Sequence, residues 1–197
     1  MIEPVEIPPI EIYADPMTRA LVLIDLQLDY FDGGAHPLVG PDAAVANAAA
    51  VLEQFRAKGE PVIHVFEIWD EPGATFFRPG TPGVEIHPTV APRAGERVVQ
   101  KSNANAFLDT SLEADLRALG ADEVVVVGMM TCVCIDSSVR AAADLGFDVT
   151  VVGDACAASD LEFDGTIVPA AQVHAAFLAA LGENFATVVT AEQLLAV

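Results

Sequence analysis

The chain has 197 residues, 53% of them hydrophobic, and a formal charge of -20 at pH 7. That length builds one sizeable core within the range of a single domain. So acidic a surface repels nucleic-acid backbones and anionic lipid, both of which are gripped by clustered Lys and Arg, so no nucleic acid and no membrane is expected as a partner. The three cysteines, Cys132, Cys134 and Cys156, make no disulfide framework and suit a reducing compartment. The N-terminus has neither the basic start nor the apolar stretch of a secretion signal, and no later run is long enough to cross a bilayer. The expected location is cytoplasmic.

Residues 1–17 alternate Pro, Glu and Ile without helical period and read as an extended arm ahead of one domain over residues 18–197. Ala20 to Gln27 reads as a strand. Pro41-Asp42 opens a helix that runs to Lys58 and stops at Gly59, and Pro61 to Glu67 is the next strand. Between Asp70 and Glu96 Pro and Gly recur with no periodic pattern, which marks a lid, a subunit contact or a structural wrap. Arg97 to Gln100 is a strand, and Asp109-Thr110-Ser111 offers caps for a helix from Ser111 to Leu119 that ends before Gly120. Glu123 to Met129 is strongly apolar and reads as a strand, with Thr131 as cap of a helix from Cys132 to Leu145 that Gly146 stops. Asp148 to Gly153 is a strand, Ala158 to Ile167 a loop, Ala170 to Leu181 a helix, Ala186 to Thr190 a strand, and a last helical turn starts at Ala191. Strands alternating with helices in this way give parallel strands joined by crossover helices, an α/β fold. The arm and the apolar stretch Val173 to Leu181 point to a homo-oligomer, a dimer or higher.

In open parallel sheets ligands bind beyond the carboxyl ends of the strands, where strand order reverses. Three such ends carry chemistry. Asp25 lies in Leu23-Ile24-Asp25-Leu26-Gln27, Lys101 follows Arg97 to Gln100, and Cys134 lies in Gly128-Met129-Met130-Thr131-Cys132-Val133-Cys134. A cysteine in the first turn of a helix sits in the positive end of the helix field, which favours thiolate. Taken singly, each has a plainer reading: Asp25 as a carboxylate tying down loop amides, Lys101 as the cap of a strand, Cys134 as a small core residue. Lys101 is one of only two lysines, with Lys58. Cys132 and Cys134 point to different faces of a helix, and His36, His64, His87 and His174 are scattered, so no metal is expected.

Read together, these segments resemble the isochorismatase-like cysteine hydrolases, the superfamily of nicotinamidases, N-carbamoylsarcosine amidase, ureidoacrylate and maleamate amidohydrolases and streptothricin hydrolase. The matching pieces are Leu23 to Phe31, Lys101-Ser102-Asn103-Ala104-Asn105-Ala106-Phe107, Gly128 to Ile135, Gly146-Phe147 and Asp154-Ala155-Cys156-Ala157, with Pro79 to Gly83 and Glu85 to Pro88 between them. The resemblance implies a three-layer Rossmann-like fold, with a six-stranded, mainly parallel sheet and helices on both faces. It implies that Asp25, Lys101 and Cys134 form a catalytic triad, and that a cis Met129-Met130 peptide aims the Met130 amide, with that of Cys134, at an oxyanion. Gln27, Phe31, Trp69, Phe77 and Phe107 are candidates for the substrate pocket. The implied activity is hydrolysis of a small amide or carbamoyl C–N bond through a thioester, with no cofactor. Vinyl ether hydrolysis, which does not need the cysteine, and a non-catalytic binding protein on the same fold are the alternatives. Phe66-Glu67-Ile68-Trp69-Asp70 has no histidine where nicotinamidases hold a metal, which counts against nicotinamide and zinc.

Overall fold

The structure, a computed structural model, describes residues 18–196; the arm expected over residues 1–17 lies outside the described residues. Six strands form the main sheet: β1 (Arg19–Ile24), β2 (Val62–Glu67), β3 (Arg97–Lys101), β4 (Glu123–Met129), β5 (Asp148–Ala157) and, after a separate two-stranded hairpin of β6 (Leu161–Phe163) and β7 (Thr166–Val168), β8 (Thr187–Val189). The helices are α1 (Pro41–Lys58), α2 (Leu112–Ala118), α3 (Asp136–Asp144), α4 (Ala170–Asn184) and α5 (Ala191–Leu195). The sheet runs β3-β2-β1-β4-β5-β8, and every neighbouring pair in it is parallel.

Side chains alternate across the sheet and fill two separate cores. Leu21, Leu23, Val125 and Val127 pack with Val45, Leu52 and Phe55 of α1 and Leu194 of α5. Ala20, Val22, Ile24, Val124 and Val126 pack on the other face with Leu112 and Leu116 of α2, Val139 of α3 and Leu181 of α4. Both faces being covered, the central strands are continuous apolar runs rather than alternating ones, and each fully buried aliphatic contributes roughly 1.5–3 kcal/mol of transfer free energy. This is the three-layer architecture expected. In the apolar stretch of α4, Val173 and Leu181 are buried, Phe177 and Leu178 are half-buried and Ala175, Ala176, Ala179 and Ala180 are exposed, so part of that stretch stays on the surface.

Strand order reverses between β1 and β4, whose carboxyl ends therefore flank the crevice where such sheets bind ligands. Their approach there is unusually close. Gly128 has φ +136°, and a Cβ on it would lie 1.9 Å from the Ile24 carbonyl oxygen. The register between β4 and β5 shifts between Val126 and Gly128, so that Gly128 pairs with Cys156 and Met129 with Ala157. That shift extends β5 well past the Gly153 end expected for it.

Three further segments differ from expectation. The loop over Ala158 to Ile167 contains the β6–β7 hairpin, turned by Asp164 (φ 50°) and Gly165 (φ 72°), the two left-handed residues of a type I′ turn. Thr131 does not cap a helix from outside. It lies inside one turn of π-helix, Thr131–Ile135, that precedes α3, and its hydroxyl is within hydrogen-bonding distance of the Ala157 carbonyl oxygen (3.1 Å) and of His174 Nδ1 (2.9 Å). The segment from Asp70 to Glu96, which reads as holding no regular element, contains two short 3-10 turns, Pro82–Val84 and Pro88–Val90, and is tied to the domain. Phe77 is fully buried and its N–H donates to Asp29 Oδ2 at 2.6 Å, while Glu96 is held by Arg56 (2.6 Å) and by His64 (2.8 Å).

A Gly128→Ala change is expected to force β1 and β4 apart, costing more than ~3 kcal/mol, a fall in Tm of about 6–12 °C for a chain of this size. Gly165→Ala, whose Cβ would meet nothing within 4 Å, should cost only about 1 kcal/mol. Thermal unfolding of the two variants side by side checks the difference.

Candidate active site

Asp25 follows the last residue of β1 and donates its N–H to the Val65 carbonyl at 2.9 Å. It is the first residue beyond the strand, with φ +51°, a conformation that non-glycine residues rarely hold and that tends to mark functional positions. The turn swings the carboxylate inward, where it is 0% exposed. Lys101, the last residue of β3, is in register with Glu67 at the end of β2, so its side chain reaches across β2 towards β1. Lys101 Nζ lies 2.8 Å from Asp25 Oδ2, contacts Glu67 Oε2 and lies 3.4 Å from Cys134 Sγ. Cys134 is presented by the π-helical turn after β4 and is buried.

Four elements thus bring Asp25, Glu67, Lys101 and Cys134 to one point. Among the described residues neither oxygen of Asp25 has a well-directed hydrogen-bond donor, so the Lys101 contact is one of charge and leaves the carboxylate free to accept a proton. Burial pushes the Asp25 pKa up to about 6, with Lys101 opposing and Glu67 adding to the rise. Burial alone would lower the pKa of Lys101, but Asp25, Cys134 and Glu67 together hold it above the ordinary value, so the side chain is an ammonium. Burial, then Asp25, push the Cys134 thiol well up, against the pull of Lys101. At rest Cys134 is therefore a thiol, which reverses the thiolate preference that a helix start alone implies.

Donor atoms of Asp25, Glu67 and Cys134 lie within 4.8 Å of one another, a spacing that a metal ion could bridge. The Lys101 ammonium already contacts all three, so a metal would compete with a resident cation for the same ligands. The donor set fits an ammonium better than a second charge beside it.

The Met129–Met130 peptide is cis, as the resemblance implies. The Met130 carbonyl accepts from the N–H groups of Val133 and Ile135, both at 3.1 Å, which fixes the turn that presents Cys134. Of the pocket candidates, Gln27 and Phe77 are fully buried and committed to the scaffold. Gln27 Nε2 donates to the carbonyls of Glu67 and Val84, both at 2.9 Å, and its Oε1 accepts from the Glu67 N–H at 2.8 Å. Phe77 packs edge-on to Tyr30. Phe31 lies tilted at 4.4 Å from His87, and Trp69 meets Phe76 edge-on, which in turn packs on Phe77, so Phe31, Trp69 and Phe77 belong to one cluster, whereas Phe107 lies in the other core against Phe147. Glu67, which the resemblance offers with Cys132 as a residue shaping the pocket but not as part of the triad, is placed by the structure against Lys101. Its local signal is an acidic side chain at the carboxyl end of a strand.

Surface cavities of comparable size lie at both ends of the sheet's strands, one of about 490 Å³, lined by Leu28, Asp29, Phe31 and Pro82, just past the carboxyl end of β1. Two others, about 490 and 620 Å³, are lined by residues such as Pro61 and Arg97, or Glu123, Asp148 and Thr187, at the starts of the strands. Convergent chemistry at the other edge locates the site better than cavity size does.

Comparison with known proteins identifies the family. The isochorismatase domain model matches residues 19–193. The isochorismatase family protein YddQ of Bacillus subtilis is 47% identical, the match covering 91% of this chain and 99% of YddQ. A solved structure of the isochorismatase type from Oleispira antarctica superposes with TM-score 0.88 at 49% identity, covering 91% of this chain and 97% of that one. A maleamate amidohydrolase of Pseudomonas putida is 37% identical over 68% of this chain and 69% of its own length.

Gln27→Ala removes three hydrogen bonds to buried backbone next to the site, and is expected to destabilise the fold by roughly 2–4 kcal/mol. Urea denaturation followed by circular dichroism measures the loss.

Proposed function

The chain belongs to the isochorismatase family of hydrolases, and on that premise we propose that it cleaves the C–N bond of a small amide or carbamoyl substrate by nucleophilic attack of Cys134. The observation that carries the reading is the buried thiol 3.4 Å from the Lys101 ammonium, beside a carboxylate whose oxygens lack well-directed donors. A nucleophile with a base in reach and a third group orienting that base is the arrangement covalent acyl transfer requires.

Asp25 takes the thiol proton as sulfur attacks the carbonyl carbon, and the oxyanion that forms is held by the backbone N–H groups of Met130 and Cys134. Asp25 then gives that proton to the departing nitrogen, the C–N bond breaks, and a thioester remains on Cys134 with ammonia or an amine released. Water attacks the thioester while Asp25 accepts one of its protons, the C–S bond breaks, the acid leaves, and the proton returns to sulfur. Lys101 keeps Asp25 in place and offsets the negative charge that moves between oxygen and sulfur. These steps need no cofactor. The amidohydrolase relative supports C–N cleavage over vinyl ether hydrolysis, which would not call on a thiol.

A screen of small amides for ammonia release supplies the substrate for the decisive variants. Cys134→Ala is expected to lower kcat by ~10⁴-fold or more and Asp25→Asn by roughly 10²–10⁴-fold; full turnover by Cys134→Ala would sink the proposal. The wild-type kcat/KM should also depend on pH in a definite sense. Asp25 accepts a proton only when ionised, and its pKa is raised to about 6, so activity is expected to hold above that value and fall as pH drops through it. A profile flat down to pH 4 would remove Asp25 as the base.

A further inference from the structure

Glu67 has no part in the reaction just described, yet it lies as close to the nucleophile as the groups that do. Its position is built rather than incidental. The β2–β3 register sets it beside Lys101, and Gln27 clamps its backbone N–H and carbonyl at 2.8 and 2.9 Å, which fixes where the side chain leaves the strand. One carboxylate oxygen, Oε2, meets both Lys101 Nζ and, at 3.8 Å, Cys134 Sγ. The Glu67 side chain is 14% exposed, whereas those of Asp25 and Lys101 are 0%, so it stands on the solvent side of the set.

The charges around it decide what it does. Glu67 faces Lys101 from β3, Cys134 from the π-helical turn, Asp25 from the end of β1, and Tyr30, which is near enough to feel the same carboxylates. Two carboxylates share one ammonium, so the set already carries a net charge of -1 before sulfur loses its proton. With Asp25 and Lys101 alone the pair would be neutral, and a thiolate 3.4 Å from the ammonium would be favoured.

We infer that Glu67 is a positioning residue that divides the Lys101 ammonium with Asp25 and repels negative charge at Cys134, holding the nucleophile as a thiol until substrate arrives and turning away anionic reagents and substrates. The effect on Cys134 in the resting protein is in the same sense, since Glu67 raises the thiol pKa and that of Asp25. For substrates it selects neutral amides, or amides bearing N–H donors, over amides with a carboxylate near the scissile bond. The consequence for turnover rests on Cys134 being the nucleophile; the thiol chemistry itself does not.

The test reads the sulfur directly. In a Cys132→Ala background, the rate of Cys134 alkylation is measured from pH 6 to 10 by mass spectrometry with iodoacetamide, which is neutral, and with iodoacetate, which is an anion. In the protein carrying Glu67, iodoacetate should lag behind iodoacetamide by far more than it does towards glutathione. Glu67→Gln should alkylate with iodoacetamide on the order of tenfold faster at neutral pH. The same change should narrow the gap between the two reagents, and Glu67→Asp should restore much of the original behaviour. An alkylation rate and reagent ratio unchanged in Glu67→Gln overturns the inference, as does a glutathione-like ratio in the protein with Glu67 intact, a measurement that needs no variant to fold. Neither readout involves an amide, so failure to find a hydrolysable amide would count against the proposed activity while leaving this result to stand or fall alone.

Discussion

The buried ammonium of Lys101 is the charge on which the rest of the site depends. A lone cation in so dry a place would lose its proton, and here three groups from three other elements prevent it: Asp25, Glu67 and the sulfur of Cys134. The dependence is mutual. Without the ammonium, the two carboxylates, whose oxygens lie with the thiol sulfur within 4.8 Å of one another, would repel. Buried ion pairs of this kind contribute little net stability, because desolvation cancels much of their attraction, but removing one partner costs several kcal/mol. Stability therefore does not account for a buried cluster of charge at the strand ends.

The fold makes that concentration of charge possible by geometry rather than by local affinity. β3, β2, β1 and β4 are consecutive in the sheet, so the ends of four parallel strands deliver Lys101, Glu67, Asp25 and the turn carrying Cys134 to the same edge. Two backbone features then close the distances. The left-handed Asp25 turns its carboxylate back under the strand ends, and Gly128, which has no side chain to hold β1 away, lets β4 enter the site. The segment from Asp70 to Glu96 is anchored by Asp29 on Phe77 and, at its far end, by Arg56 and His64 on Glu96.

How much of this was legible in the sequence follows from which forces are local. The four valines before Gly128 and the Pro41 and Gly59 ends of α1 are short-range signals, and the elements they mark come out within a residue or two of expectation. Asp25, Lys101 and Cys134 stand at strand ends that a pattern can locate. Glu67 depends on the register of β2 against β3, which no local signal in either strand sets, so its approach to Lys101 was invisible. Gln27 read as a pocket residue because its place beside the strand end is suggestive, while its hydrogen bonds to Glu67 and Val84 come from chain 40 and 57 positions away. The β6–β7 hairpin is a different kind of miss: Asp164-Gly165 between Phe163 and Thr166 is a local turn signal, overshadowed by the lack of a long periodic run on either side.

The state of the thiol shows where reasoning from motif alone goes astray. A helix start and a nearby lysine both favour thiolate, and both are present, yet burial and two carboxylates outweigh them. A free thiolate would be nucleophilic towards any small electrophile that entered. A thiol beside a carboxylate of pKa about 6 gains nucleophilicity only as its proton moves, and that movement is favourable only when a carbonyl is in place to take up the charge. In the proposed reaction the backbone donors at Met130 and Cys134 receive that charge as an oxyanion. Activation is thereby tied to substrate: the same carboxylates that suppress the resting nucleophile favour passing its charge on to oxygen.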